Sequence, residues 1–194
     1  MIELDRALFR LLNSVPDLWS PLEHLVRILT GDYLIPLATT LALASQWVRG
    51  RDRQERERCQ HGVLVGLAAV GLVNLAVEVI AKAVGRARPY VGQQEVQVLF
   101  YLPTDPSFPS NPVAVAAVIA EAGRRIDPNL GRWLWRATAV LGVSRVMAGV
   151  HYPSDVVVGA LLGASVVWVA AWLLARLAVL PRGLIRLARV FGLA

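Results

Sequence analysis

The stretch VVVGALLGASVVWVAAWLL, residues 156–174, carries no charged residue and sits inside a longer apolar segment from 153 to about 180. At about 1.5 Å per residue, a helix over that segment is long enough to cross the roughly 30 Å hydrocarbon core of a bilayer. It reads as a membrane span. Toward the N-terminus, apolar runs recur over 133–150, 112–122, 62–84 and 33–48, each bounded by charges or proline. The run from Pro112 is too short to span alone, so it is expected to start below the membrane surface, where neighbouring protein shields its backbone. Composition agrees, because 56% of the residues are apolar, against about 45–50% in soluble domains.

These runs predict an all-α integral membrane bundle of about five to six transmembrane helices, a single domain over 1–194 with the bundle at 33–180. Residues 1–31 form an interfacial segment. In it, Ile2, Leu4, Leu8, Leu11 and Leu12 alternate with Glu3, Asp5, Arg6 and Arg10 at helical spacing, which suits an amphipathic helix on a membrane surface. Early acids and the lack of a small-residue cleavage site argue against a signal peptide. Residues 17–31, with Glu23, His24 and Arg27, read as a second interfacial piece or as a sixth crossing. The tail at 181–194, with Arg182, Arg186 and Arg189 among apolar residues, is expected to be a basic amphipathic helix. No internal repeat is visible.

Arginine counting sets the orientation, since short cytoplasmic loops carry the excess of positive charge. Arg49, Arg51, Arg53, Arg56 and Arg58 share one side with Arg124, Arg125, Arg132, Arg136 and the tail. The segments 86–111 and 149–154 then face the extracytoplasmic side, as expected of a bacterial inner (plasma) membrane protein. Trp47, Trp133 and Trp135 fit a cytoplasmic aromatic belt. The pairs Gly62/Gly66 and Gly159/Gly163 would let helices approach closely. The net charge of +6 is thus spent on membrane topology, and no nucleic acid partner is expected. A single cysteine, Cys59, excludes an intrachain disulfide and multi-cysteine metal sites.

With that topology, Lys82, Arg86, Arg88, Ser110, Arg145, His151 and Asp155 converge at the extracytoplasmic helix ends. Arginines clamp phosphate oxygens, a helix N-terminus offers amide donors, and a histidine backed by an aspartate can act as nucleophile or base. No metal-ligand cluster accompanies them. Several cations could neutralise phosphate charge themselves, so no metal or cofactor is expected.

The string Ser144-Arg145, His151 and Asp155, as SRVMAGVHYPSD, resembles the third motif of the type 2 phosphatidic acid phosphatases, or lipid phosphate phosphatases. They share their site with vanadium haloperoxidases. The resemblance covers most of the chain beyond residue 30. It implies that His151 attacks phosphorus to give a phosphohistidine, that Asp155 orients it and fixes its tautomer, and that Arg145 binds phosphate. Gly85-Arg86-Ala87-Arg88-Pro89 resembles the first motif, which implies a phosphate contact for Arg88.

Two departures matter. The family usually has six residues between its lysine and that arginine, whereas Lys82 leaves five, with Ala81 in its place; one helical step turns a side chain by about 100°. Lys82 is nonetheless the only lysine beside 19 arginines. The second motif reads Pro109-Ser110-Asn111-Pro112 where the family has Pro-Ser-Gly-His. Its histidine, the general acid, is absent. Ser110 and Asn111 keep the anion-binding helix start, with Ser110 also expected to cap the helix.

The expected function is a membrane lipid phosphate or diphosphate phosphatase acting through phosphohistidine, with Arg88, Arg145, Ser110, Asn111 and Lys82 holding phosphate. Membrane lipids surround it, and no protein partner is identified. General acid–base catalysis is typically worth about 10²–10⁴ in rate, so the missing histidine favours substrates whose leaving group needs no proton, such as a polyprenyl diphosphate. The alternative is a non-catalytic lipid-phosphate binder or accessory protein on the same scaffold. Glu78 reads as a structural ion-pair partner of Lys82. Asn74 and Glu121 are expected to be satisfied inside the bundle, His24 and His61 to be interfacial, and Cys59 to be incidental in a charged loop.

Overall fold

A computed structural model describes residues 2–31, 33–91, 96–177, Gly183 and Ile185. The tail expected as an amphipathic helix lies outside the described residues, those two apart. Among the described residues there are seven α-helices and no strand: α1 (Ile2–Asn13), α2 (Ser20–Thr30), α3 (Leu34–Ala44), α4 (Arg53–Val84), α5 (Asn111–Ile126), α6 (Pro128–Met147) and α7 (Pro153–Arg176). Short 3₁₀ turns at Val15–Leu18 and Ser45–Val48 link α1 to α2 and end α3.

Local chemistry sets the boundaries. Asp52 caps α4 by accepting the amide of Glu55 at 2.8 Å, while the Glu55 carboxylate accepts the Arg51 amide at 2.7 Å. One orphan N–H of the first turn, that of Glu55, is thereby satisfied, and the Glu55 carboxylate ties back the residue before the cap. At its other end, Gly85 adopts φ 60, a left-handed conformation that glycine enters without a Cβ penalty, and closes the helix through its N–H on Ala81 O. Asp127 alone separates α5 from α6 and caps α6 through the Asn129 amide at 2.8 Å. So tight a link makes the pair antiparallel: Gly123 lies against Leu130 and Leu134, and at the far end Gly142 lies against Val113.

The short helix starting beside Pro112 is the centre of the bundle, with Val113, Ala114 and 116–123 buried. Small residues along it let α4 and α7 close in, and Val65, Ala69, Val73, Val77, Ala114, Val118, Val167 and Ala170 form the main core. Close approach explains one glycine pair directly. A Cβ at Gly159 would stand 2.6 Å from Ser110 O, and one at Gly163 would strike Ala114 O. Gly66 lies similarly against Leu43 and Ala122.

By length and composition, α4 and α7 can each cross a membrane, and the bent pair Ser20–Thr30 plus Leu34–Val48 raises the count to three. A bend of 46° separates the two helices of that pair, the form of a broken span or of a re-entrant loop. Thr30 donates to Ser144 O at 2.9 Å near the outer end of α6, and Leu43 packs on Leu134 near its start. α2 thus lies by the C-terminal end of α6, where Val26 packs on Met147 and Ala148, and α3 runs from there toward the start of α6. The chain is an integral membrane protein built on these apolar helices.

All the arginines of the loop before α4 and of the α5–α6 turn fall at one end of the bundle, where Arg49 reaches Asp127 at 3.7 Å. Tryptophans share that end, with Arg125 over Trp168, Arg136 over Trp133 and Arg176 over Trp172. Cys59 is not in an open loop. It is buried in the first turns of α4, 5% exposed, because the helix begins six residues earlier than the cysteine, within the charged segment.

Candidate active site

Opposite the arginine end, residues 85–91 and 96–110 and the turn 148–152 gather at the C-terminal end of α4 and the N-terminal ends of α5 and α7. A cavity of about 880 Å³ opens there, lined by α4 residues from Asn74 to Lys82 and, facing them, by Arg88, Asp105, Pro112, Arg145 and His151. Exposed Leu75 and Tyr101 line it, and exposed Leu102 stands between the lining residues Tyr101 and Pro103. A lipid with a polar head and an apolar tail matches such a boundary.

His151 is buried, 2% exposed, in the turn between α6 and α7. Its Nδ1 lies 2.9 Å from Ser107 O. A carbonyl can only accept, so Nδ1 carries the hydrogen and Nε2 keeps its lone pair. Nε2 stands 3.5 Å from Arg88 Nη1. Asp155, expected to fix this tautomer, does not: its Oδ2 is 3.8 Å from Nδ1. It accepts instead from the Tyr152 amide at 2.8 Å and from Arg86 at 2.6 Å. The main-chain carbonyl of Ser107 orients the ring, a contact no side-chain motif announces. Burial pushes the imidazole below the ordinary histidine range; Asp155 pulls it back up, and Arg88 and Arg145 add to the downward push. That direction favours the uncharged ring at neutral pH.

Arg88 is buried and held on three sides: its Nε donates to Asp105 O at 2.9 Å, Nη1 to Val150 O at 2.9 Å, and Nη2 to both Asp105 carboxylate oxygens at 3.0 Å. Arg145, 2% exposed, lies with its guanidinium carbon 4.5 Å from the centre of the Phe100 ring. Ser110 makes no side-chain cap bond to α5, contrary to expectation. Its Oγ is buried without a hydrogen-bond partner, next to cavity-lining Pro109 and Asn111. A buried hydroxyl left unpaired costs stability, and a phosphate oxygen would satisfy it. Asn111 donates to Asn74 Oδ1 at 3.1 Å, joining α5 to α4 beside Pro112, so Asn74 is satisfied as expected.

Lys82 lines the same cavity but is paired with Glu78 at 2.7 Å, both largely exposed. Arg86, expected in the convergent set, is not among the residues lining the cavity; it stands behind His151 and bridges Asp155 to Asp5 at 2.6 Å each. Sequence reasoning assigned no site role to Ser107, Asp105 or Asp5. Only Asp5 left a trace, as an acid on an otherwise amphipathic helix.

A family model for the PAP2 superfamily matches residues 62–178. The chain belongs to that superfamily, whose members include membrane lipid phosphatases. Among relatives, it is 29% identical to the bacitracin transport permease protein BcrC of Bacillus licheniformis, over 83% of this chain and 76% of that one. The crystal structure of Aquifex aeolicus LpxE matches with TM-score 0.63 and 28% identity over 86% of this chain and 94% of that one. A PAP2-type phosphatidylglycerolphosphate phosphatase from Bacillus subtilis shares the fold, with TM-score 0.64 and 19% identity over 90% and 86% of the two chains. The match begins at Gly62, so α1 to α3 stand outside it.

Proposed function

We propose that this chain hydrolyses the phosphate or diphosphate head of a membrane lipid, with His151 as nucleophile and diphosphates favoured. One observation carries the reading: the Ser107 carbonyl on Nδ1 leaves the Nε2 lone pair directed at a cavity that also holds Arg88 and Arg145. Nε2 attacks phosphorus, the bond from phosphorus to the leaving oxygen breaks, and that oxygen takes the electron pair. Arg88, Arg145, the Ser110 hydroxyl and Asn111 at the start of α5 hold the equatorial oxygens. Lys82 reaches the head group from α4. Water then attacks the phosphohistidine, the N–P bond returns its electrons to Nε2, and the proton of water leaves with phosphate. Asp155 acts here by holding Arg86 and the Tyr152 amide, which fixes the turn that presents His151.

Substrate class follows from Pro112, which cannot donate a proton. A monophosphate ester expels a basic alkoxide, whereas a diphosphate expels a phosphate whose second pKa is near about 6 and which leaves as a stable anion. The cavity faces the extracytoplasmic leaflet if the opposite, arginine-rich end is cytoplasmic.

The test is phosphate release by purified protein from matched polyprenyl mono- and diphosphates, beside His151→Ala and Pro112→His. The diphosphate should be turned over with the higher kcat/KM, His151→Ala should abolish release, and Pro112→His should raise monophosphate turnover selectively, by up to about 10²-fold. Equal rates on both substrates sink the preference. Phosphate-analogue binding without any release identifies a non-catalytic binder instead.

A further inference from the structure

One face of α1 is stitched to the site. Asp5, Phe9 and Asn13, spaced four apart, stack along a single helical face, and all three are buried. Asn13 donates to Gln97 O and Met147 O at 2.8 and 2.9 Å and accepts from the Gln97 amide. Phe9 packs on the Tyr152 ring at 5.4 Å. Asp5 goes deepest. Its Oδ2 accepts from Arg86 and from the Ser154 hydroxyl at 2.6 Å each, and its Oδ1 accepts the Ser154 amide at 2.9 Å.

Arg86 therefore holds two carboxylates at once, Asp5 and the fully buried Asp155, while lying 4.1 Å over the Tyr152 ring. Burial would raise the Asp5 pKa, but the hydrogen bonds from Ser154 and Arg86 hold it below the ordinary range, so the carboxylate is charged. A guanidinium shared by two carboxylates cannot swing toward either without losing a charge-assisted bond. Tyr152, Ser154 and Asp155, all immediately after His151, are each touched by this assembly.

The geometry points to Asp5 as a positioning residue for catalysis, acting through Arg86 and Ser154 on the turn that aims His151. It rests on the reading of His151 as nucleophile. Nothing in the matched region 62–178 supplies this carboxylate, so the interfacial helix completes the site from outside it. Leu4 and Leu8, on the opposite side of α1, stay exposed for the membrane surface.

The experiment uses the whole chain in detergent and compares Asp5→Asn, Asp5→Glu, Asn13→Ala and His151→Ala. Orthovanadate, which adopts the five-coordinate geometry of phosphoryl transfer with the nucleophile as a ligand, reports alignment without turnover; inorganic phosphate reports the oxygen-binding groups alone. Asp5→Asn keeps the shape and loses the charge. It should lower kcat and weaken vanadate roughly tenfold, as expected when transition-state alignment rather than ground-state binding is lost. KM and phosphate affinity should change less than about threefold. Asp5→Glu should recover part of the loss. Asn13→Ala loosens α1 at its bonds to Gln97 and Met147 without touching the charge or the 152–155 turn, so it should lower the thermal midpoint as much as Asp5→Asn does while sparing vanadate.

Unchanged vanadate affinity in Asp5→Asn overturns the proposal, as does an equal loss in Asn13→Ala, which would make Asp5 only an anchor. His151→Ala separates the two layers: if it abolishes turnover while Asp5→Asn behaves like the unaltered protein, the nucleophile stands and the positioning role falls. If the unaltered protein binds vanadate without turnover, the Asp5→Asn comparison still decides. No vanadate binding by the unaltered protein overturns both.

Discussion

At the scale of single residues, His151 owes its state to burial and one carbonyl. An ordinary histidine titrates near about 6.5, and His151 is held below that. Between the two values the unfolded chain takes up a proton that the folded chain refuses, so folded-state stability falls as pH drops from about 7 through the ordinary histidine range. The thermal midpoint should therefore fall more between pH 7 and pH 5.5 in the unaltered protein than in His151→Gln, measured by calorimetry. Equal slopes would mean that the ring is not held neutral. Arg88 offers a second prediction. Asp105 spans its fork although its side chain is 69% exposed, a pair that solvent screens to about 0–1 kcal/mol. Asp105→Ala should free the fork and tighten inorganic phosphate by about two- to fivefold, read by isothermal titration; weaker binding would show that Asp105 preorganises Arg88 rather than competing for it.

At the scale of elements, α5 carries the site because small residues let α7 pack directly on its backbone. Ser110 N–H donates to Asp155 O at 3.0 Å, and Gly159 lies against Ser110 O. The first turns of α5 and α7 are thus joined backbone to backbone. Gly163 lies one turn further along, against Ala114 O. Gly163→Val should force the helices apart at a cost of about 1–3 kcal/mol, seen as a lower thermal midpoint with loss of phosphate binding, whereas Gly71→Ala, which meets no neighbour within 4 Å, should leave both unchanged. The period of the apolar residues made α5 legible as a short buried helix. Its hold on α7 was visible only as a pair of glycines four apart.

At the scale of the whole molecule, the two ends of the bundle differ in charge and chemistry. Arginines and tryptophans ring one, and the cavity occupies the other. Cys59 is too buried to report on that asymmetry. In a Cys59→Ser background, Arg56→Cys at the arginine end and Leu102→Cys beside the cavity, both exposed positions, are suitable probes. A membrane-impermeant thiol reagent should label Leu102→Cys in intact cells and Arg56→Cys only after permeabilisation. The reverse pattern would turn the site to the cytoplasm.

The sequence by itself determined the class of protein, the run of helices from 33 onward, the gathering of arginines at one end and the set His151, Arg88 and Arg145 at the other. Those signals are local: hydropathy and spacing are written along one helix or one turn, and the membrane makes apolar length sufficient for a span. Tertiary structure decided who touches whom. The partner of His151 Nδ1 lies 44 residues away in a main-chain carbonyl, and the second carboxylate on Arg86 lies 81 residues away on α1. Neither leaves a spacing to read, because a carbonyl has no residue identity and Asp5 resembles any polar residue of an amphipathic helix. Packing α1, residues 85–91 and residues 96–110 at the cavity end of the bundle brought these groups within hydrogen-bonding distance. It also changed the partners of Asp155 and the exposure of Cys59, since burial and contact belong to the folded chain alone.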